Sequence, residues 1–253
     1  MPELEGIAVI TGAGSGLGAG LAEQAAARGM AVVAADVHGA RLDALDVEVA
    51  ARVLCDVRRY EDVERLAGVA YGLGEVGLLC NNAGVADLGP LWEQSVDTWH
   101  RLVDINLNGV YHGIKAFVPR MLASGRAAVV LNTASIGGFS TGRDHGAYQV
   151  TKHAVVALSQ CLANDLADAR QIHVAVACPG PVATRIFTDA NESTVTDTMR
   201  DMLATQGMTG AEAAGLLLDQ VVEGRFWVTP HPDMFRQSVD RRVNALTAAR
   251  DSF

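Results

Sequence analysis

Seven short apolar, β-branched runs recur along the 253-residue chain, each followed by a stretch long enough for a helix. They fall at Ile7–Thr11, Ala31–Asp36, Arg52–Cys55, Gly77–Asn81, Ala127–Thr133, Ile172–Cys178 and Phe226–Thr229. Their apolar residues run on between flanking Gly, Asn or Asp instead of alternating with polar ones. Both faces of each strand must then be covered. Strands of this kind alternating with helices predict a parallel, doubly wound α/β sheet of about seven strands with helices on both faces. No repeat, low-complexity tract or linker divides the chain, and α/β domains reach this size, so residues 1–253 are expected to form a single domain. Hydrophobic residues make up 49% and aromatics 5%, a mix that suits close helix-on-sheet packing.

The first strand runs into Thr11-Gly12-Ala13-Gly14-Ser15-Gly16-Leu17-Gly18, and a helical pattern follows from Leu17 to Arg28. Glycines there let the backbone approach a pyrophosphate, whose charge is met by unpaired N–H groups and the positive helix end. A tight turn without a ligand is the weaker alternative when the cluster is taken alone. Asp36 ends the second strand eighteen residues past Gly18, where a carboxylate can accept from both ribose hydroxyls of an adenosine. It is also an ordinary turn residue. Together the two signals are far more specific, and Asp56 and Asn81-Asn82-Ala83-Gly84 add polar groups at the ends of the third and fourth strands, the edge where open α/β sheets bind ligands.

Tyr148 and Lys152 lie four apart in a predicted helix and share one face, and Ser135 precedes them by thirteen residues at the end of the fifth strand. Spacing alone would make the pair surface neighbours. At the same sheet edge as the glycine turn, a hydroxyl, a phenol and a fixed cation are what a ketone/alcohol site needs: to hold oxygen, exchange its proton and tune the exchanger.

The formal net charge of −9, with no Lys/Arg cluster, argues against a nucleic-acid partner. The start Met-Pro-Glu-Leu-Glu has no basic region, and the apolar run after it stops at Thr11-Gly12, so neither export nor membrane insertion is expected and the chain is read as cytoplasmic. Cys55, Cys80, Cys161 and Cys178 are widely spaced, which suggests no disulfide framework and no metal site; all four are expected as small buried apolar residues. The sequon Asn191-Glu192-Ser193 carries no weight without secretion.

Two long helical stretches, about Val96 to Leu122 and Ala147 to Ala167, carry apolar residues on more than one face, and the surplus predicts a subunit interface in a homotetramer or dimer. The polar, strandless stretch at about 181–207 is expected to be a substrate lid, with Ile186, Phe187, Met199, Met202 and Leu203 covering an apolar substrate.

These motifs resemble the short-chain dehydrogenase/reductases over nearly the whole chain. Thr11-Gly12-x-x-x-Gly16-x-Gly18 is similar to that family's cofactor loop, Asn81-Asn82-Ala83-Gly84 to its strand-four motif, and Ser135 with Tyr148-x-x-x-Lys152 to its catalytic centre. Pro179-Gly180-Pro181-Val182-x-Thr184 is similar to the loop that closes over nicotinamide. The resemblance implies a Rossmann-type fold, NAD as cofactor, and a small-molecule secondary alcohol or ketone as substrate. It implies that Ser135 orients the substrate oxygen, Tyr148 is the general acid/base, Lys152 binds the nicotinamide ribose and lowers the phenol's pKa, and Asn106 holds a helix kink and a water that relays protons from Lys152. Gly12, Ser15, Gly16, Leu17 and Gly18 would surround the pyrophosphate; Asp36 would hold the ribose, Asp56 and Val57 the adenine, and Asn82, with Ala83 and Gly84, the central ribose region. Pro179, Gly180, Val182 and Thr184 would border the carboxamide. Thr151 replaces the more frequent Ser before the lysine. Arg143 and His145 either line the substrate entrance or are solvated. Asp36 predicts NAD over NADP, because Ser15 and Val37 supply no cation to offset a 2′-phosphate.

Two other readings compete. A silent nucleotide-binding or regulatory member of the same fold is disfavoured by the intact Asn106, Ser135, Tyr148 and Lys152 set. A serine hydrolase on Ser135 lacks the G-x-S-x-G elbow and leaves the phenol and lysine without a role.

Overall fold

The computed structural model describes residues 2–187, 190 and 194–253. The chain opens with β1 (Ile7–Thr11), α1 (Gly16–Ala27), β2 (Ala31–Asp36), the short α2 (Gly39–Asp43), β3 (Ala51–Leu54), α3 (Tyr60–Leu73) and β4 (Val76–Asn81). Then come α4 (Val96–Val103), a π-turn at Asp104–Asn108, α5 (Gly109–Ser124), β5 (Ala128–Thr133) and α6 (Gly146–Asp165). The chain closes with β6 (Ile172–Ala177), α7 (Thr194–Gln206), α8 (Gly210–Val222), β7 (Trp227–Val228) and α9 (Pro232–Arg250). The sequon at 191–193 lies outside the described residues, as do 188 and 189 of the expected lid.

All seven strands are parallel, in the order β3-β2-β1-β4-β5-β6-β7. Alternate residues of a strand feed opposite cores, which is why the runs read as unbroken apolar sequence. On one face Ala8, Ile10, Val32, Leu78 and Leu131 pack against Leu17 and Leu21 of α1 and Leu217 and Leu218 of α8. On the other, Val9, Val33, Leu79, Val130 and Val174 pack against Leu66 of α3, Phe117 and Met121 of α5 and Leu162 of α6. This is a single-domain, Rossmann-type sheet covered on both sides.

The chain moves outward from β1 to β3, then returns to lay β4 on the other side of β1. The reversal opens a crevice above the carboxyl ends of β1 and β4, where ligands of open α/β sheets bind.

The helical stretch from Val96 to Leu122, with a kink expected at Asn106, contains the π-turn, which shifts the hydrogen-bond register there. One further detail overturns the sequence reading and one adds to it. Cys161 is exposed on α6, whereas Cys55, Cys80 and Cys178 are buried. The 181–207 segment contains a thirteen-residue helix, α7.

Candidate active site

At the crevice, Gly12 (φ 67°) and Gly16 (φ 53°) take the left-handed backbone that only glycine adopts without strain. A Cβ on Gly12 would also stand 2.8 Å from the Cα of Ala83, so the turn lies directly on the 81–84 loop. Thr11 locks that contact: its Oγ1 accepts from the N–H groups of Asn82 (3.0 Å) and Ala83 (3.1 Å). Asn82 Nδ2 donates to Thr11 O at 3.0 Å, and Thr133 Oγ1 donates to Asn82 Oδ1 at 3.3 Å. Ser15 is the N-cap of α1 but gives it no side-chain hydrogen bond.

Asp36 is buried at the end of β2, its Oδ2 accepting from Gly14 N and its Oδ1 from His38 N, both at 2.9 Å. The carboxylate therefore braces the glycine turn. Arg41, unnoticed in the sequence, lies alongside, since a Cβ on Gly14 would sit 2.7 Å from the Arg41 Cβ. Asp56, at the end of β3, is turned to Arg58, which donates to it through Nε at 2.9 Å and Nη2 at 2.6 Å and holds the carboxyl below the usual carboxylate range. Val57 is packed beside Gly109 of α5.

Ser135 ends β5; its Oγ accepts from Gly137 N at 3.0 Å and donates to Pro179 O at 3.4 Å. Tyr148 and Lys152 project from one face of α6, the ammonium 5.7 Å from the phenol ring centroid. Lys152 is buried and donates to Thr133 O at 2.9 Å. Asn106, at the π-turn, accepts from Val85 N (2.9 Å) and donates to Val85 O (2.9 Å) and to Thr151 Oγ1 (3.0 Å). Thr151 Oγ1 in turn donates to Tyr148 O at 2.8 Å. Gly84 keeps the 81–84 loop close: a Cβ there would lie 3.3 Å from Asn106 Oδ1 and 3.5 Å from Lys152 Nζ.

The titration of the pair departs from expectation. Burial pushes the Tyr148 phenol up, and its hydrogen bond with Ser135 pulls it down by less. Lys152 was expected to depress the phenol, but burial holds the ammonium itself down to about 8, and its Nζ is directed to Thr133 O. Two groups that share one dry site each resist charging alone.

Beneath the site runs a buried amide chain. Asn81 Nδ2 donates to Asn132 Oδ1 (2.9 Å), Asn132 Nδ2 to Ser159 Oγ (3.0 Å), and Ser159 Oγ to Val155 O (2.8 Å).

The segment after β6 closes over the crevice. Pro179 O accepts from Ile136 N at 3.0 Å, Gly180 N donates to His231 Nδ1 at 3.1 Å, and Val182 bridges to Met208. A Cβ on Gly16 would meet Thr184 Cγ2 at 2.6 Å, so this segment touches the glycine turn. Phe187 and Leu203 are buried against Ala86 and Leu88, with Ile186, Met199, Met202 and Tyr148 packed around them. Arg143 is solvated, its side chain 92% exposed, and His145 Nδ1 stands 2.7 Å from Arg143 O.

Among the described residues no cluster of His, Cys, Asp or Glu is placed to hold a metal ion. No helix among them is long and apolar enough to cross a membrane.

The sequence profile of the short chain dehydrogenase family matches residues 6–194. A 1-deoxy-11-beta-hydroxypentalenate dehydrogenase of Streptomyces avermitilis is 34% identical over 241 residues, covering 89% of this chain and 84% of that protein. A 3beta-hydroxysteroid dehydrogenase of Eggerthella lenta is 34% identical over 216 residues, covering 82% of each. Among solved structures, a short chain dehydrogenase/reductase of Burkholderia phymatum in complex with NAD superposes with a TM-score of 0.87 at 34% identity, covering 94% of this chain and 93% of that one. One from Sphingobium yanoikuyae in complex with NADPH gives 0.78 at 28% identity, covering 98% and 94%.

Proposed function

This chain belongs to the short-chain dehydrogenase/reductase family, and from that premise we propose that it interconverts a secondary alcohol and a ketone with NAD. The reading is carried by the convergence of Ser135, Tyr148 and Lys152, with Asn106 and Gly84 against them, at the crevice where the strand order reverses.

The residues present fit a dinucleotide. The glycine turn excludes side chains, the start of α1 has no side-chain cap, and each Asp36 oxygen keeps acceptor capacity beyond the one N–H it binds. Gly12, Ser15, Gly16, Leu17 and Gly18 would hold its pyrophosphate and Asp36 its adenosine ribose. Val57 and the backbone at Asp56 would border adenine; Asn82, Ala83 and Gly84 would border the central ribose, and Pro179, Gly180, Val182 and Thr184 the nicotinamide end. The chemistry a bound nicotinamide would supply is uptake or release of hydride at the carbinol carbon. Asp36 favours NAD, since a 2′-phosphate about 4 Å away would repel it by roughly 4 kcal/mol at an effective dielectric near 20.

In alcohol oxidation Ser135 holds the substrate oxygen while Tyr148, as phenolate, takes the hydroxyl proton; in ketone reduction the phenol returns it. The buried phenolate and the buried Lys152 ammonium stabilise one another, so the charge pair forms where either charge alone is disfavoured. Asn106 positions Tyr148 through Thr151. The apolar cluster around Ile186, Phe187, Met199, Met202 and Leu203 supports a lid at about 181–207 and an alicyclic, apolar alcohol as substrate. Exposed Val96, Tyr111, Leu122 and Val150 on the long helices support a homodimer or tetramer, which light scattering would test against a monomer. Free cysteines and the absence of a membrane-spanning helix among the described residues support a cytoplasmic protein.

Tyr148→Phe removes only the proton exchanger. It is expected to leave NADH binding within about twofold and to lower turnover about 10²- to 10⁴-fold on an alicyclic alcohol panel, followed by nicotinamide absorbance. Near-wild-type turnover in that variant would overturn the reading.

A further inference from the structure

His231, at the amino end of α9, has no part in that reading, yet it holds one of its peptides. The bond between Pro179 and Gly180 is trans, so its carbonyl and its N–H point to opposite sides. On one side Pro179 O accepts from Ile136 N at 3.0 Å and from Ser135 Oγ at 3.4 Å. On the other, Gly180 N donates to His231 Nδ1 at 3.1 Å. A single peptide thus joins the serine that would hold the substrate oxygen to an imidazole across the loop.

The ring is itself fixed. An N–H can only donate, so Nδ1 is the unprotonated nitrogen and the neutral ring carries its proton on Nε2. His231 N donates to Thr229 Oγ1 at 3.1 Å, Thr229 Oγ1 donates to Cys178 O at 2.8 Å, and Phe235 N donates to His231 O at 3.0 Å. A Cβ on Gly180 would stand 3.1 Å from both His231 Cγ and Met234 Sδ, so the loop lies close on the ring. Burial favours the neutral ring, and a hydrogen bond with the Pro181 backbone opposes it by less. The carboxylates around the ring already have partners: Glu212 bonds Thr209 and Asp219 pairs with Arg28, both in the groove that His231 shares with α8, and Asp233 pairs with Arg236 on α9. From the loop side, burial keeps Cys178 a neutral thiol.

We infer that His231 is a positioning residue: on the reading of 179–184 as the border of the nicotinamide, its Nδ1 holds that loop down and releases it when the ring gains a second proton. In an imidazolium both nitrogens are donors, so an Nδ1–H would face the Gly180 N–H. The peptide then turns away and carries Pro179 O from Ser135. Acid weakens a dinucleotide through its nicotinamide half alone, and a bound dinucleotide in turn resists protonation of His231 by the same factor.

The test measures freshly mixed NADH by fluorescence, and ADP by competition, between about pH 5 and 8 in wild type, His231→Asn and His231→Phe. Asn sets an amide oxygen near the place of Nδ1 that acid leaves unprotonated, whereas Phe keeps a ring without an acceptor. Wild type is expected to lose NADH affinity as acid is added, toward a limit about five- to hundredfold weaker, as for one buried N–H left without a partner, and to hold ADP unchanged. The Asn variant should bind NADH equally across the range, and the Phe variant should sit at the weak limit throughout. NMR of the imidazole in free wild type should show the Nε2–H tautomer titrating below 6.5. If the Phe variant does not fold, the wild-type and Asn profiles decide. The same acid dependence of NADH binding in wild type and Asn would overturn the positioning role, as would a Phe variant that weakens ADP as much as NADH. Wild type that binds neither NADH nor ADP at neutral pH would instead sink the dinucleotide reading, and the role of His231 with it.

Discussion

Asp36→Asn separates the two tasks of the carboxylate at the end of β2. The side chain keeps its size and loses its charge. Two backbone donors, Gly14 N and His38 N, each meet a different oxygen of Asp36 at 2.9 Å. A carboxamide offers one oxygen and one NH₂, so either orientation turns a donor toward a donor at a buried position. The loss of one hydrogen bond to a charged group amounts to about 1.5–3 kcal/mol. At roughly 2–4 °C per kcal/mol for a chain of this size, the melting temperature should fall by about 3–12 °C. The same change removes the repulsion felt by a 2′-phosphate, roughly 4 kcal/mol before any discount. Halving that for solvent screening leaves about 2 kcal/mol, so the kcat/KM ratio of NADP to NAD should rise about 30-fold. Thermal unfolding at neutral pH and initial rates with both cofactors read the two effects separately. A variant that melts with wild type refutes the bracing role, and an unchanged cofactor ratio refutes the electrostatic one.

The depressed Lys152 gives stability a pH dependence. Its ammonium is disfavoured in the fold, with a pKa of about 8 against 10.5, so between those values the unfolded chain binds the additional proton. Unfolding free energy should therefore rise with pH across that window, by up to about 3 kcal/mol, and urea titrations of Lys152→Met should show the rise flattened; a variant that keeps it would remove the argument. Thr151→Val takes one acceptor from Asn106 and one donor from Tyr148 O, a loss of about 1–3 kcal/mol in chemical denaturation that Thr151→Ser should restore. If the Ser variant is no better than the Val variant, the hydroxyl is not what links Asn106 to Tyr148.

Features written in local runs were legible in the chain. β1 and β2 fall where their β-branched runs begin and end, and glycines at 12, 16 and 18 mark the turn because nothing else fits against Ala83, Thr184 and the Gly12 carbonyl. What hid was non-local. The π-turn leaves the apolar periodicity of Val96–Leu122 almost unchanged, so the helix break at Asn106 could be expected only from the motif resemblance, and its bonds to Val85 from nothing local. Arg41 comes beside the glycine turn only after α2 folds back against it, which no local run encodes. The Tyr148 titration depends on how much water burial removes, which a Tyr-x-x-x-Lys spacing does not encode. Cys161 was misjudged by residue type, since its place on α6 faces outward. β7 is two residues long, paired on one side only, at the edge of the sheet.

The amide chain under the site makes four positions inherit one another's constraints. Asn81, Asn132 and Ser159 each satisfy the next in a single direction ending on a helix carbonyl, and a methyl at Gly113 would fall 1.9 Å from Asn81 Oδ1. Replacing Asn132 by Leu strands a donor on one side and an acceptor on the other, whereas exchanging Asn81, Asn132 and Ser159 together for an apolar set of matched volume strands neither. The single change and the triple change should therefore have effects that do not add. A lineage drifting at these sites would pass through its least stable members first, and substitutions acceptable in one relative would be harmful when moved singly into another.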